Sequence, residues 1–385
     1  MRIAIVGCGY VADFYLATLA NHPELELTGV HDRDPARAER FSGFHRLHRY
    51  ASLADLLGDD RVEMVLNLTN PGSHFEVSWA ALAHGKHVYS EKPLATTLPE
   101  ATRLVEEAER RGLLVASAPC NVLGESAQTL WKALRDGRIG TPRLVYAEID
   151  DGPVPLMDRS SWISASGAPW PSKDEFEVGC TLEHAGYYLG WLTTFFGPAR
   201  RITAGAAVLM EDKGIPLDVR SPDFSVAVVE FDRGVIARLT CSIYAPHDHR
   251  LRIFGDEGVL STADCWNYGS PVHLQRRTPL GIRFEKYPVL ARLAGFGPRR
   301  IPLVRKADFR HKVKGSNPMD FCRGVAEVAA SVRERRPCRL SARWSLHVNE
   351  LVLAMQDPGG LGSPRMVTST FEPMAPMPWA DRAAG

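Results

Sequence analysis

The residues with the clearest chemistry lie in Val88-Tyr89-Ser90-Glu91-Lys92-Pro93-Leu94-Ala95, where an apolar run rises to a carboxylate, an ammonium and a proline. In an open parallel sheet, ligands bind at the carboxyl ends of the strands. A lysine at such a point is placed for proton chemistry. Its ammonium is compact, and its pKa falls on burial or beside other cations. It can stabilise an alkoxide or accept the proton of an alcohol. Glu91 either orients Lys92 or bonds the backbone near Pro93. A second cluster follows at Glu183-His184-Ala185-Gly186-Tyr187-Tyr188. On a helix, Glu183 and Tyr187 are four apart and share a face, and His184 and Tyr188 share the next. With Leu189, Trp191 and Leu192 beside them, the two tyrosines also read as ordinary core packing.

The elements that must position these groups begin at the N-terminus. Ile3-Ala4-Ile5-Val6 is a continuous apolar run, as a strand buried on both faces requires. Gly7-Cys8-Gly9-Tyr10-Val11-Ala12 follows as a G-x-G-x-x-A, ahead of a helical pattern over 13–21. Gly7 allows a tight turn, Gly9 removes a side chain that would block a pyrophosphate, and Ala12 lets helix and strand pack closely. Amides at the helix start then face the phosphates. The next strand, 25–30, ends at His31-Asp32-Arg33-Asp34. An acid about 20 positions beyond such glycines binds a ribose 2′-hydroxyl, so Asp32 favours NAD. Arg33 speaks for NADP, because an arginine there could grip a 2′-phosphate. Asp34-Pro35 reads as N-cap and N1 of the following helix.

A third strand, 62–68, ends in Thr69-Asn70-Pro71-Gly72-Ser73-His74. Thr69, Asn70 and Pro71 are candidates for the nicotinamide side. His74 is either a ligand contact or a helix-start residue bonding a backbone group. A helix over 75–84 closes at Gly85, and a charged-face helix over 97–111 follows the Lys92 stretch. Strand 113–117 ends at Ala118-Pro119-Cys120-Asn121, and Asn121 completes the cofactor-side candidates.

Beyond this point, strand 143–149 leads into a polar loop, 150–177, that carries Trp162 and Trp170. Loops of that length are often functional, and this one reads as a substrate cover, with an inert packed excursion as the alternative. Strands over 225–231, 235–242 and 251–255 form a meander. Residues 279–315 are rich in Lys and Arg against only Glu285 and Asp308. That insertion reads as a solvated arm, as a phosphate-binding lid, or as a contact for an anionic membrane. Helices over 319–335 and 342–355 follow, and His347 on the second reads as a packing residue. After Gln356 the chain turns rich in Pro, Gly and Met, with no regular structure expected. The expected domains are 1–121, 122–356 and an irregular tail over 357–385.

Composition sets limits. A length of 385 residues exceeds one ordinary core. A formal net charge of +1 gives no global pull toward nucleic acid or membrane. No apolar run approaches a membrane span. The seven cysteines are scattered, without CxxC or Cys/His spacing, so neither a disulfide framework nor a metal site is expected, and reduced thiols fit the cytoplasm.

Gly7 to Ala12, Val30 to Asp34, Asn70 to His74 and Gly85 to Ala95, in this order and spacing, resemble the glucose-fructose oxidoreductase / inositol dehydrogenase / rhizopine-catabolism family of NAD(P)-dependent oxidoreductases. The resemblance implies an α/β chain with a Rossmann domain and a second α/β domain holding a large, mostly antiparallel open sheet. It implies that this sheet mediates homo-oligomerisation and that Lys92 contacts both nicotinamide and substrate. The substrate it implies is a sugar or polyol, free or nucleotide-linked and so phosphate-bearing. The family carries Asp-x-Gly-x-His in its second motif; here Glu183, Ala185 and Tyr187 stand at those positions, and some sugar-oxidising members are similar in using Tyr at the last. Tyr187, Lys92 and His184 are all candidates for the proton carrier. In the favoured arrangement Tyr187 carries the proton and Lys92 lowers its pKa. Relatives that hydrolyse glycosides through a retained NAD, or that bind NAD as non-catalytic regulators, supply the alternatives.

Overall fold

The computed structural model describes residues 1–284, 286–313 and 318–381. The N-terminal unit alternates strand and helix: β1 (Arg2–Val6), α1 (Tyr10–Leu19), β2 (Glu26–His31), α2 (Pro35–His45), α3 (Leu53–Gly58), β3 (Met64–Asn67), α4 (His74–Ala83), β4 (His87–Ser90), α5 (Leu98–Arg111) and β5 (Val115–Ser117). The five strands are parallel in the order β2-β1-β3-β4-β5. Capping chemistry sets several helix starts. Asp34 accepts from the amides of Ala36 and Arg37, Ser52 from Asp55, and Thr97 from Glu100. The chain order reverses between β1 and β3, the point in an open α/β sheet where a crevice forms.

The second unit opens with α6 (Glu125–Arg135) and β6 (Pro142–Asp150), then α7 (Ser172–Val178) and α8 (Gly186–Phe196). Strands β7 (Ala199–Ala207), β8 (Phe224–Phe231), β9 (Ile236–Ser242), β10 (Leu251–Gly255), β11 (Gly258–Thr262) and β12 (Val272–Arg276) follow. With β13 (Arg299–Ile301) and β14 (Arg365–Met366) they make a nine-stranded sheet in the order β13-β12-β11-β10-β6-β9-β8-β7-β14. Only β6 and β9 pair in parallel. The segment expected to be irregular after Gln356 forms a short helix, Pro358–Leu361, and β14, which pairs with β7.

The basic insertion forms two short helices, α9 (Pro279–Phe284) and α10 (Pro288–Leu293), before β13 joins the sheet edge. Glu285 and Lys314 lie outside the described residues. Among the described residues, no helix is long and apolar enough to cross a membrane.

Helix α11 (Arg323–Glu334) and helix α12 (Ala342–Gln356) close the structure. Helix α12 packs on α5 of the first unit and on α8 and β7 of the second. Asn349 donates to the Ala95 carbonyl at 3.1 Å, and the Ser117 amide donates to Ser345 Oγ at 3.2 Å. His347 is fully buried and accepts from the Ala199 amide at 2.9 Å, a packing role. A buried ion cluster fixes α11 to α6. Glu125, 1% exposed, takes Arg323 at 2.9 Å and Arg305 at 2.8 Å. Removing one partner of a buried pair is costly because the other charge stays desolvated. Arg323→Met is expected to destabilise the fold by about 3 kcal/mol, lowering the calorimetric Tm by roughly 6–12 °C. A Tm within two or so degrees of wild type would show that Arg305 alone satisfies Glu125.

Candidate active site

At the end of β1, Gly7 has φ +101° and sits so close to the next strand end that a Cβ would lie 2.4 Å from the Leu68 carbonyl oxygen. Only glycine meets both conditions. A Cβ on Gly9 would meet nothing within 4 Å, so this position opens onto free space. Helix α1 starts there with no capping side chain, which leaves its first-turn amides for a phosphate. Asp32 is 7% exposed and accepts the amides of Cys8 at 2.8 Å and Asp34 at 2.9 Å. It stands with Gly7, Gly9, Arg33 and Arg37 around a cavity of about 170 Å³. These features fit a dinucleotide.

Three cofactor-side candidates are corrected here. Cys8 does not open onto the crevice: it is fully buried, and burial followed by the charge of Asp32 pushes its thiol up to about 12. Its amide positions Asp32. His74 is fully buried, with ring nitrogens 2.7 Å from the Pro93 carbonyl and 2.9 Å from that of Thr69, so it braces two turns. Asn121 is buried and donates to the carbonyls of Tyr187 and Cys265, fixing the backbone beneath Tyr187. Arg37 was not singled out from the sequence; its place in the first turn of the helix after β2 was the available signal. It lies 3.7 Å from Asp32. With the Asp32 carboxylate removed, Arg33 and Arg37 remain to meet a 2′-phosphate. Asp32→Ser is therefore expected to shift the NADH-to-NADPH affinity ratio about tenfold toward NADPH, read by fluorescence titration with each cofactor. An unchanged ratio would remove Asp32 from that role.

The crevice continues past Leu68, Thr69 and Asn70 into a larger cleft of about 690 Å³. Tyr10, Val11, Pro71, Glu91 and Lys92 line it from the first unit; Glu183, His184 and Tyr187 line it from the second. The chain takes a wide, π-helical turn over Thr181–Ala185 before α8. Its smaller angular step per residue brings His184 to the cleft together with Glu183 and Tyr187. Tyr188, expected to pair with His184, instead points into the core and donates to the His249 carbonyl. Glu91 follows the second expectation and bonds the backbone beside Pro93: Oε2 accepts the Lys92 amide at 3.0 Å, while Oε1 accepts the Tyr15 hydroxyl at 2.7 Å.

Lys92 Nζ donates to Glu183 Oε2 across the cleft, with the lysine side chain 21% and the glutamate 5% exposed. Burial opposes the lysine's charge, but nearby carboxylate charge, that of Glu183 foremost, holds it well above its ordinary value. The expected fall in the Lys92 pKa is thus reversed. For Tyr187 the expected pull from Lys92 is present but outweighed. Burial drives its hydroxyl up, and although Lys92 pulls it down, the net shift is upward. His184 is pushed down to about 3, chiefly by burial and then by Lys92, so it is neutral at pH 7.

Several cleft residues went unnoticed in the sequence. Trp162 and Trp170 were recognised, but α7 between them and the π turn also brings Asp174 and Glu175 to the cleft. Asp174 accepts from Asn70 at 2.8 Å, joining the loop to the cofactor side. Trp266, from the turn after β11, packs edge-on against Tyr187 at 5.5 Å. Lys173-Asp174-Glu175 falls inside the stretch read as a polar loop over 150–177, where acids carry no periodic signal. Burial, then the charge of Glu183, raises the Glu175 carboxyl well above its ordinary value. The folded protein therefore keeps a proton that the unfolded chain loses. That contribution is fully present below the ordinary glutamate pKa and is lost as pH rises through the folded value. Glu175→Gln removes the titration and keeps the neutral shape. Its Tm is expected to exceed wild type by a margin that grows from about pH 5 to about pH 8 and closes near about pH 4. A margin independent of pH would refute the protonated Glu175.

A dinucleotide crevice on a parallel sheet, continuous with a cleft that carries a buried lysine, is the architecture of a nicotinamide-dependent oxidoreductase. Residues 1–118 match the NAD-binding Rossmann-fold model of the GFO/IDH/MocA oxidoreductase family, and residues 127–261 match the GFO/IDH/MocA C-terminal domain. The chain belongs to this family and is an NAD(P)-dependent oxidoreductase. It is 24% identical over 359 residues to an uncharacterized oxidoreductase of Synechocystis, covering 90% of this chain and 91% of that one. It is 25% identical over 271 residues to trans-1,2-dihydrobenzene-1,2-diol dehydrogenase of Bos taurus, covering 69% and 76%. Its fold is shared with a WlbA dehydrogenase of Chromobacterium violaceum in complex with NADH and UDP-GlcNAcA, at TM-score 0.71 and 21% identity, covering 96% of both chains.

Proposed function

We propose that this enzyme moves hydride between the dinucleotide and a secondary alcohol or ketone carbon of a sugar, polyol or nucleotide-linked sugar. The observation that carries this reading is the Lys92–Glu183 pair, which stands in a cleft continuous with the dinucleotide crevice. When bound, the nicotinamide supplies or accepts the hydride. The chain's own residues must then handle one proton at the substrate oxygen. Lys92, held charged by its carboxylates, gives that proton as a carbonyl becomes an alcohol and takes it back in the reverse direction. Glu183 keeps Lys92 protonated and oriented. Tyr187, held protonated, donates a hydrogen bond to the same oxygen. Neutral His184 orients a neighbouring hydroxyl.

The aromatic walls from Trp162, Trp170 and Trp266 with a few converging polar groups suit a small polyhydroxylic ligand. The nucleotide sugar bound by the C. violaceum structure supports extending that class to nucleotide-linked sugars. The phosphate-lid reading of 279–315 gains no support, since among the described residues none from that insertion lines the cleft. The long sheet, with Val228 and Met366 exposed on it, supports a homo-oligomer. The seven buried, unpaired cysteines suit a reducing cytoplasm.

Two variants test the assignment. Lys92→Met is expected to lower kcat by about a thousandfold or more while NADH binding stays within a few fold. Normal turnover would defeat the reading. Glu183→Gln withdraws the charge that keeps Lys92 protonated. In the reducing direction, activity requires the charged lysine, so the alkaline limb of the kcat/KM profile should move to lower pH. A limb that stays in place would separate Glu183 from the proton path.

A further inference from the structure

We propose that Asp151, His247 and His249 form a binding site for a first-row divalent cation on the wall of the cleft, beside His184. Strand register brings the three together. Asp150 and Asp248 face each other in an antiparallel bridge, with amide-to-carbonyl bonds of 3.0 and 2.8 Å between them. Paired residues in such a bridge point to one face, and their neighbours point to the other. Asp151 on one segment and His247 and His249 on the other are those neighbours.

Their ligand atoms all lie within 4.8 Å of one another. His247 Nδ1 is 3.6 Å and His249 Nε2 is 3.9 Å from Asp151 Oδ1. A cation bound at about 2.0–2.2 Å holds its ligand atoms roughly 3.3 Å apart in tetrahedral geometry, so the two histidine–carboxylate separations exceed this by only about 0.3 and 0.6 Å. His249 supplies a second, independent observation. It is fully buried, yet neither ring nitrogen completes a hydrogen bond. Buried polar atoms left in this state ask for a partner. Behind it, Asp264 Oδ1 stands 3.5 Å from His249 Nδ1 and is itself held by the Trp266 amide at 2.7 Å. Carboxylate, histidine and metal in line is the arrangement that fixes a ligating imidazole.

Two imidazoles and one carboxylate suit Zn²⁺, Co²⁺ or Fe²⁺ and leave coordination positions open. Asp151 and His184 both line the cleft, and His184 Nε2 is 4.0 Å from Asp151 Oδ2. The ligand class for the open positions is thus the paired oxygens of a polyhydroxylic or hydroxy-acid substrate. A rival cluster, His249 with Asp264 and Cys265, shares one histidine but lies on its enclosed side. The Asp151 side is preferred because it reaches the cleft.

The test uses full-length protein stripped by chelation, titrated with CoCl₂ and followed by visible absorption, with ZnCl₂ as competitor. The expected result is one Co²⁺ per chain, displaced by Zn²⁺. His247→Ala should weaken binding at least about tenfold, and Asp264→Asn, acting through His249, by about ten- to a hundredfold. NADH affinity should stay unchanged in both variants, confirming that they fold. Cys265→Ser should bind Co²⁺ as wild type does. No stoichiometric binding by wild type, or equal affinity in wild type and His247→Ala, would overturn the proposal. So would a loss of binding with Cys265→Ser alone. The readout is the bound ion, so either result leaves the dehydrogenase reading standing, and Lys92→Met should bind Co²⁺ normally.

Discussion

The site depends on keeping one ammonium charged in a place that excludes water. Lys92 arrives at the end of β4 and meets Glu183 from the other unit across the cleft. Moving either charge out of water alone costs several kcal/mol. Neither residue is tolerable there without the other, so the pair favours the arrangement in which both units contribute to one cleft. Glu91, anchored by Tyr15 and by the Lys92 amide, adds negative charge from below. The Glu175 carboxyl is raised by burial first and then by the charge of Glu183 beside it. The same charges thus bear on both Lys92 and Glu175.

The surrounding scaffold serves that balance by removing freedom. His74 ties the Thr69 turn to Pro93, so the cofactor side and the lysine stretch cannot move independently. Asn121 holds the backbone under Tyr187 from the strand end next door. Helix α12 spans both units, and its Asn349 reaches the carbonyl of Ala95 just past the lysine. These are buried hydrogen bonds to backbone, the kind that specify geometry because leaving them unmade is expensive. His74 and Asn121, expected on the cofactor side, prove to brace the backbone around the crevice and the cleft.

The parallel sheet was readable because its strands are buried on both faces and its turns obey strict backbone rules: Gly7 meets a carbonyl, and Asp34 and Ser52 cap helices. Lys92, Glu183 and Tyr187 were readable because charged and phenolic groups at strand ends and helix faces stand out against apolar runs. Other features depend on contacts distant in sequence. The direction of the Lys92 shift is set by Glu183, 91 residues away. Glu175 looks like a surface acid until α7 folds over the cleft. The π turn has no simple periodic signature, so α-helical spacing assigned Tyr188 to the wrong face. Asp151 and His247 meet through strand register, which a local pattern cannot reveal.

The pattern of shifts also bears on the direction of the chemistry. A lysine raised above its ordinary value is protonated at neutral pH, so it cannot accept a proton there until it loses its own, and it holds that proton tightly. A tyrosine held protonated by burial stabilises negative charge on oxygen by hydrogen bonding without having to ionise. Neutral His184 adds no competing positive charge. Together these groups can stabilise negative charge that develops on a substrate oxygen. Oxidation through the same residues needs Lys92 to lose its proton first, and Glu183 opposes that loss. An oxidising role would require substrate binding to separate the pair, with a hydroxyl taking the place of the Lys92 hydrogen bond to Glu183. The glutamate at this position is long and flexible enough to yield in that way, whereas the backbone-anchored Glu91 beneath the lysine is not.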